Sequence, residues 1–128
     1  MAQRALGFLL QRLREERRDS LRDVAKLAGV DHAYLYRLET GDKEAPSEEV
    51  LSKLIKALKA EERDAEMLRY LAKHPETPAA LVEHVLSDKT VTFDEFSAVA
   101  GAAFRGNVRP DYAKLIERVR RIMGEEEG

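Results

Sequence analysis

The sequence predicts an all-α fold for this chain of 128 residues, five helices followed by a smaller group of three. Three observations carry that expectation. Apolar residues recur at three- and four-residue spacing through successive segments, the rhythm of a helix with one buried face. Residues that favour helix starts, Ser20, Asp31, Ser47 and Thr92, precede these segments, while Gly29 and Gly41 can close two of them in a left-handed turn. Pro75 and Pro78 interrupt the pattern, and neither can occupy a helix interior. The expected organisation is therefore a first domain over 1–73, a linker at 74–78, a second helical domain over 79–123 and a disordered acidic tail at 124–128.

The first helix is expected over 4–17, with Leu6, Leu9, Leu10 and Leu13 on its core face and Arg4, Arg12, Arg14, Arg17 and Arg18 on or beside its polar face. Next comes SLRDVAKLAGVDHAYLYRLETG, residues 20–41. Ser20 opens a helix over 21–28, Gly29 breaks it, and Asp31 opens a second helix that stops near Gly41. Leu21, Val24, Ala25 and Ala28 form one stripe, and Tyr34, Leu35 and Leu38 form the other. The two stripes can bury each other only where the helices cross, which small Ala25 and Ala28 permit. This is a helix-turn-helix. A fourth helix follows Ser47, with Val50, Leu51, Leu54, Ile55 and Leu58 facing the core, and a fifth runs from about Glu62 to Ala72 with Ala65, Met67, Leu68 and Leu71 inward.

LRDVAKLAGVDHAYLYRLETG, followed by Pro46 and the run SEEVLSKLIKALKA, resembles the phage-repressor-like (Xre or Cro-type) helix-turn-helix family. The marks are Ala25, the Gly29-Val30 turn, Leu35, the Leu38-Glu39-x-Gly41 ending, Pro46 and the Leu51, Leu54, Ala57, Leu58 helix, and the likeness covers roughly residues 6–70. The resemblance implies a five-helix, lambda-repressor-like DNA-binding domain and a partner in double-stranded DNA. It further implies that the second helix of the motif lies in the major groove, presenting His32, Ala33, Tyr36 and Arg37 to base edges. Arg37 fits bidentate contact to guanine and equally a phosphate clamp. Ser20, Arg22, Lys26 and Lys43 are the phosphate-contact candidates. Arg14 and Glu39 are implied to pair, tying the first helix to the recognition helix. The chain departs from the family at Leu21, where glutamine is common, at Asp31, where Ser or Thr is common, and in the acidic loop Asp42-Lys43-Glu44.

Beyond the prolines, helices are expected over 79–86, with Leu81, Val82 and Val85 buried, over 93–104, with Phe93, Phe96, Ala100 and Phe104 on one face, and over 111–123. Thr92 and Glu95 have the spacing of a capping box. The last helix carries Tyr112, Leu115, Ile116, Val119, Ile122 and Met123 in a heptad-like rhythm. A core of three short helices is marginal alone. A homodimer through Phe104 and these six residues is therefore expected, with closure of an intrachain core as the other use of the same face. This half is similar in layout to the dimerisation domain of protease-cleaved DNA-damage-response repressors, through its Arg105-Gly106-x-x-Arg109-Pro110 turn and closing LIERVRRIM helix. That resemblance implies dimerisation, and a partner protein or protease acting on this half. An antitoxin-like or adaptor protein working through the same half is the rival reading.

The formal net charge is -2 and there is no cysteine. Residues 1–46 hold nine Lys+Arg against eight Asp+Glu, so the remainder holds 13 against 16 and the slight positive excess lies in the first part. Phosphate contact dominates DNA affinity, so binding is expected to be moderate and salt-sensitive. Without cysteine there are no disulfides, thiolate zinc sites or thiol nucleophiles. His74 and His84 lack a metal-ligand spacing, and no Gly-rich phosphate loop is present. The expectation is a non-enzyme with no metal and no cofactor. No apolar run approaches the ~20 residues of a membrane span, and the opening residues lead straight into an amphipathic helix, so a cytoplasmic location without membrane association is expected.

Overall fold

The computed structural model describes residues 4–102 and 110–127. Regular structure among them is helical: α1 (Ala5–Glu16), α2 (Leu21–Ala28), α3 (His32–Thr40), α4 (Glu48–Leu58), α5 (Glu62–Lys73), α6 (Ala79–Leu86), α7 (Phe93–Ala102) and α8 (Tyr112–Glu127). The chain divides into two compact units, Met1–Val82 and Glu83–Gly128. The division falls inside α6, not in the proline segment at 74–78 where the sequence placed a linker. There the Thr77 amide and hydroxyl both donate to the His74 carbonyl, at 3.2 and 2.8 Å, and Thr77 is buried. A closed, hydrogen-bonded turn with a buried side chain does not behave as a free connection.

In the first unit α1 packs on α3 and α5, α2 packs on α3 and α4, and α4 packs on α5. Leu9 and Leu10 of α1, Val24 of α2, Leu35 of α3, Leu51 and Leu54 of α4, and Met67, Leu68 and Leu71 of α5 are fully buried. Burying such side chains contributes about 1.5–3 kcal/mol each, which is what holds helices this short in place. The expected inward faces are otherwise met, with Leu21, Tyr34, Val50 and Ile55 half-buried at the margins.

Gly7 is where α1 meets the end of α3. A Cβ at this position would lie 2.5 Å from the Leu38 carbonyl oxygen and closer still to that of Glu39. Only glycine lets the two backbones approach this closely.

In the second unit α7 packs on α8, and Val91, Phe96, Val99 and Ala100 are buried. Thr92 and Glu95 form a reciprocal capping box at the start of α7, with bonds of 3.0 and 3.1 Å. Arg120 of α8 reaches this start, donating to Glu95 at 3.0 Å and to the Thr90 hydroxyl at 3.0 Å. Its side-chain bond to Glu95 raises the Arg120 pKa.

Two expectations for this region are corrected. α8 continues to Glu127 instead of giving way to a disordered tail at Gly124, since glutamates are good helix formers and one glycine costs only about 1 kcal/mol. Ile116 is buried within the chain and is withdrawn from any intermolecular surface. Tyr112, Leu115, Val119 and Met123 are half-buried, while Ile122 is 49% exposed. Phe104 lies outside the described residues.

Candidate nucleic-acid interface

The interface is built on the pair α2 and α3. Ser20 caps α2 reciprocally with Asp23: the Asp23 amide donates to the Ser20 hydroxyl at 3.0 Å, and the Ser20 amide donates to the Asp23 carboxylate at 3.0 Å. The bond from the Ser20 backbone, then the one to its side chain, holds the Asp23 carboxyl below its ordinary pKa. At the other end Gly29 adopts a φ of 70°, turning the chain into α3. Asp31 stands at the N-cap of α3, but its side chain makes no capping bond. Its carboxylate instead lies 3.7 Å from His32 Nδ1, so the expected cap at this position is not formed.

α3 buries Leu35, Leu38 and Glu39 and half-buries Tyr34. Desolvation raises the Tyr34 pKa. His32, Ala33, Tyr36 and Arg37 occupy the opposite side and are all exposed, Tyr36 to 54%. Residues three and four apart share a helix face, so the structure brings these four side chains to one solvent-facing surface. Tyr36 takes no place in the core.

The far end of α3 is fixed in two ways. Gly41, with a φ of 87°, reverses the chain, and the amides of Asp42 and Lys43 close onto the Arg37 carbonyl at 2.9 and 3.2 Å. From α1, Arg14 donates to both Glu39 carboxylate oxygens, Nε to Oε2 at 2.7 Å and Nη2 to Oε1 at 2.9 Å. Arg14 Nη1 also donates to the Asp19 carbonyl at 3.1 Å. The side-chain bond to Glu39 raises the Arg14 pKa despite partial desolvation. The guanidinium thus stays charged and fixes the exit of α1, the approach to α2 and the end of α3 together.

Among the phosphate-contact candidates, Ser20, Arg22, Lys26 and Lys43 are all exposed. Arg22 and Lys26 stand one turn apart on α2, whereas Lys43 belongs to the loop after α3 and Lys26 also borders a groove with α4. Exposed Asp31, Asp42 and Glu44 intersperse negative charge around this face. Sequence reasoning overlooked Gly7, Leu27 and the lysines of α4. An unusual glycine inside the amphipathic run of α1 was the available signal for the first, but close approach to a distant carbonyl leaves no local trace. Among the described residues no cluster of potential metal ligands occurs and no helix is long and apolar enough to cross a membrane.

Two crossed helices around a left-handed glycine, with the second helix presenting a polar face to solvent, define a helix-turn-helix DNA-binding unit. The family model described as a helix-turn-helix domain matches residues 5–68, half of the chain, and the chain belongs to that family. No curated protein matches it.

Proposed function

We propose that this protein is a phage-repressor-like (Xre or Cro-type), sequence-specific transcription regulator, acting as a dimeric repressor on a palindromic operator in the cytoplasm. One observation carries the reading: the outward face of α3 is occupied by His32, Ala33, Tyr36 and Arg37 while its other face is anchored in the core. A recognition helix needs both, because an unanchored helix could not hold side chains in register with base edges. Arg37 reads guanine through its planar fork. His32 donates to a base or phosphate, Ala33 meets a thymine methyl, and Tyr36 lies against sugar and phosphate. Ser20, Arg22, Lys26 and Lys43 hold the backbone.

The first five helices serve DNA and the last three serve assembly, with Ile122 and its half-buried neighbours on α8 facing a second copy. Two recognition helices would then fall about one helical turn of DNA apart. The sparse basic charge makes affinity steeply dependent on salt and on dimerisation.

The test is a gel-shift titration of the full chain against duplex DNA from upstream of its own coding sequence, competed with random duplex over a range of salt. A band that survives competition supports the reading. Absence of any selective band at low salt overturns it.

A further inference from the structure

Four of the eight lysines in the chain, Lys26, Lys53, Lys56 and Lys59, line one groove of about 530 Å³ between α2 and α4. Among the described residues no carboxylate lines it; Glu49 lies 3.7 Å from Lys53 across one exposed turn, a weak pairing in water. The groove is not wholly polar. Leu27, 66% exposed, contributes apolar surface to it, and Ala57 lines it while being itself buried. An exposed leucine alone means little, but here it lines one groove with four lysines in a chain whose net charge is -2.

Lys59 adds an independent observation. It closes α4 with a φ of 50°, the left-handed conformation that Gly29 and Gly41 adopt after α2 and α3. Glycine carries no steric cost there, and lysine does. The position that would most easily be glycine instead carries a cation on the rim of the groove.

We infer that this groove docks an acidic amphipathic segment of a partner protein. An apolar side chain of the segment covers Leu27, and its carboxylates meet the lysines. Flexible ammonium groups select negative charge without demanding the planar geometry that arginine imposes, which suits carboxylates spaced along a peptide. Nucleic acid is the poorer match. A sugar-phosphate backbone offers little apolar surface for Leu27, whereas an amphipathic segment brings an apolar face with its charges.

The experiment uses the full chain and a labelled synthetic peptide with leucine at helical spacing and glutamate elsewhere. A matched peptide has every glutamate replaced by glutamine. Fluorescence anisotropy and backbone amide shifts are read for the native chain, for the triple variant Lys53→Gln, Lys56→Gln, Lys59→Gln, and for Leu27→Ser. Lys26 is left in place because it is also assigned to phosphate. All four altered side chains are exposed, and circular dichroism checks that the helices persist.

The expected result is binding of the glutamate peptide alone, with shifts confined to residues 26–29 and 53–59. The triple variant should weaken it about tenfold, as three exposed ion pairs would, and Leu27→Ser about fivefold through lost apolar contact. Peptide affinity unchanged in both variants overturns the inference. So does a triple variant that loses random duplex DNA but keeps the peptide, which would make the groove part of the nucleic-acid interface.

Discussion

Arg14 of α1 and Glu39 of α3 form a two-pronged ion pair, 2.7 and 2.9 Å, with the carboxylate side chain only 4% exposed and the guanidinium 15%. Removing either partner strips this two-pronged contact from a nearly buried charge. Arg14→Met or Glu39→Leu is expected to cost about 3 kcal/mol in urea denaturation, and the double variant less than the sum. Additive losses would show that the pair carries no coupling.

Gly7 makes the same helix crossing possible from the backbone side. Gly7→Ala is expected to destabilise the chain by about 2 kcal/mol, because its neighbours are the Leu38 and Glu39 carbonyl groups, which cannot swing aside. Gly101→Ala is the opposite case. Among the described residues its Cβ would meet nothing within 4 Å, so a gain of about 0.5–1 kcal/mol is expected from helix propensity. Thermal or chemical denaturation of the two variants side by side checks the contrast.

On DNA, Arg37→Ala should lower the ratio of specific to random binding, while Arg22→Ala should weaken both alike and flatten the salt dependence by about one counter-ion. Competition assays at fixed ionic strength separate these outcomes. Equal losses on both kinds of duplex for Arg37→Ala would remove it from base reading.

The lowered pKa of Asp23 gives a pH dependence with a definite sign. The folded carboxyl titrates below its unfolded value because the Ser20 backbone, then its side chain, hydrogen-bonds the charged form. Its contribution is therefore complete above the unfolded pKa of about 3.9 and is lost as pH falls through the lower folded value. Asp23→Asn should flatten that part of the acid denaturation profile; an unchanged profile would show that the carboxyl contributes nothing there.

Ile122, exposed on α8, tests the assembly. Light scattering on Ile122→Asp is expected to report a smaller species than the native chain at equal concentration, since a carboxylate buried between copies costs several kcal/mol. An unchanged mass would remove this residue from the dimer surface.

The limits of α2 and the capped start of α7 were legible in the residues themselves. Each depends on contacts within one or two turns: Ser20 with Asp23, Thr92 with Glu95, Gly29 at the break. The outward set on α3 was readable for the same reason, because helical spacing dictates which side chains share a face. Asp31 resisted this reading. A carboxylate at an N-cap position can turn either to the helix amides or to a neighbour, and here it lies by His32.

Other features arise only when distant segments meet. Lys26 and the lysines of α4 are separated in sequence by α3 and become one groove through the packing of α2 on α4. Arg120 reaches Glu95 across α7 and α8, and Gly7 matters because of two carbonyls at the end of α3. Periodicity and capping are encoded over a few residues, so composition along the chain settles where helices form and which side each one buries. Helix crossings are selected by the collective fit of many side chains, and they alone establish which charges become neighbours.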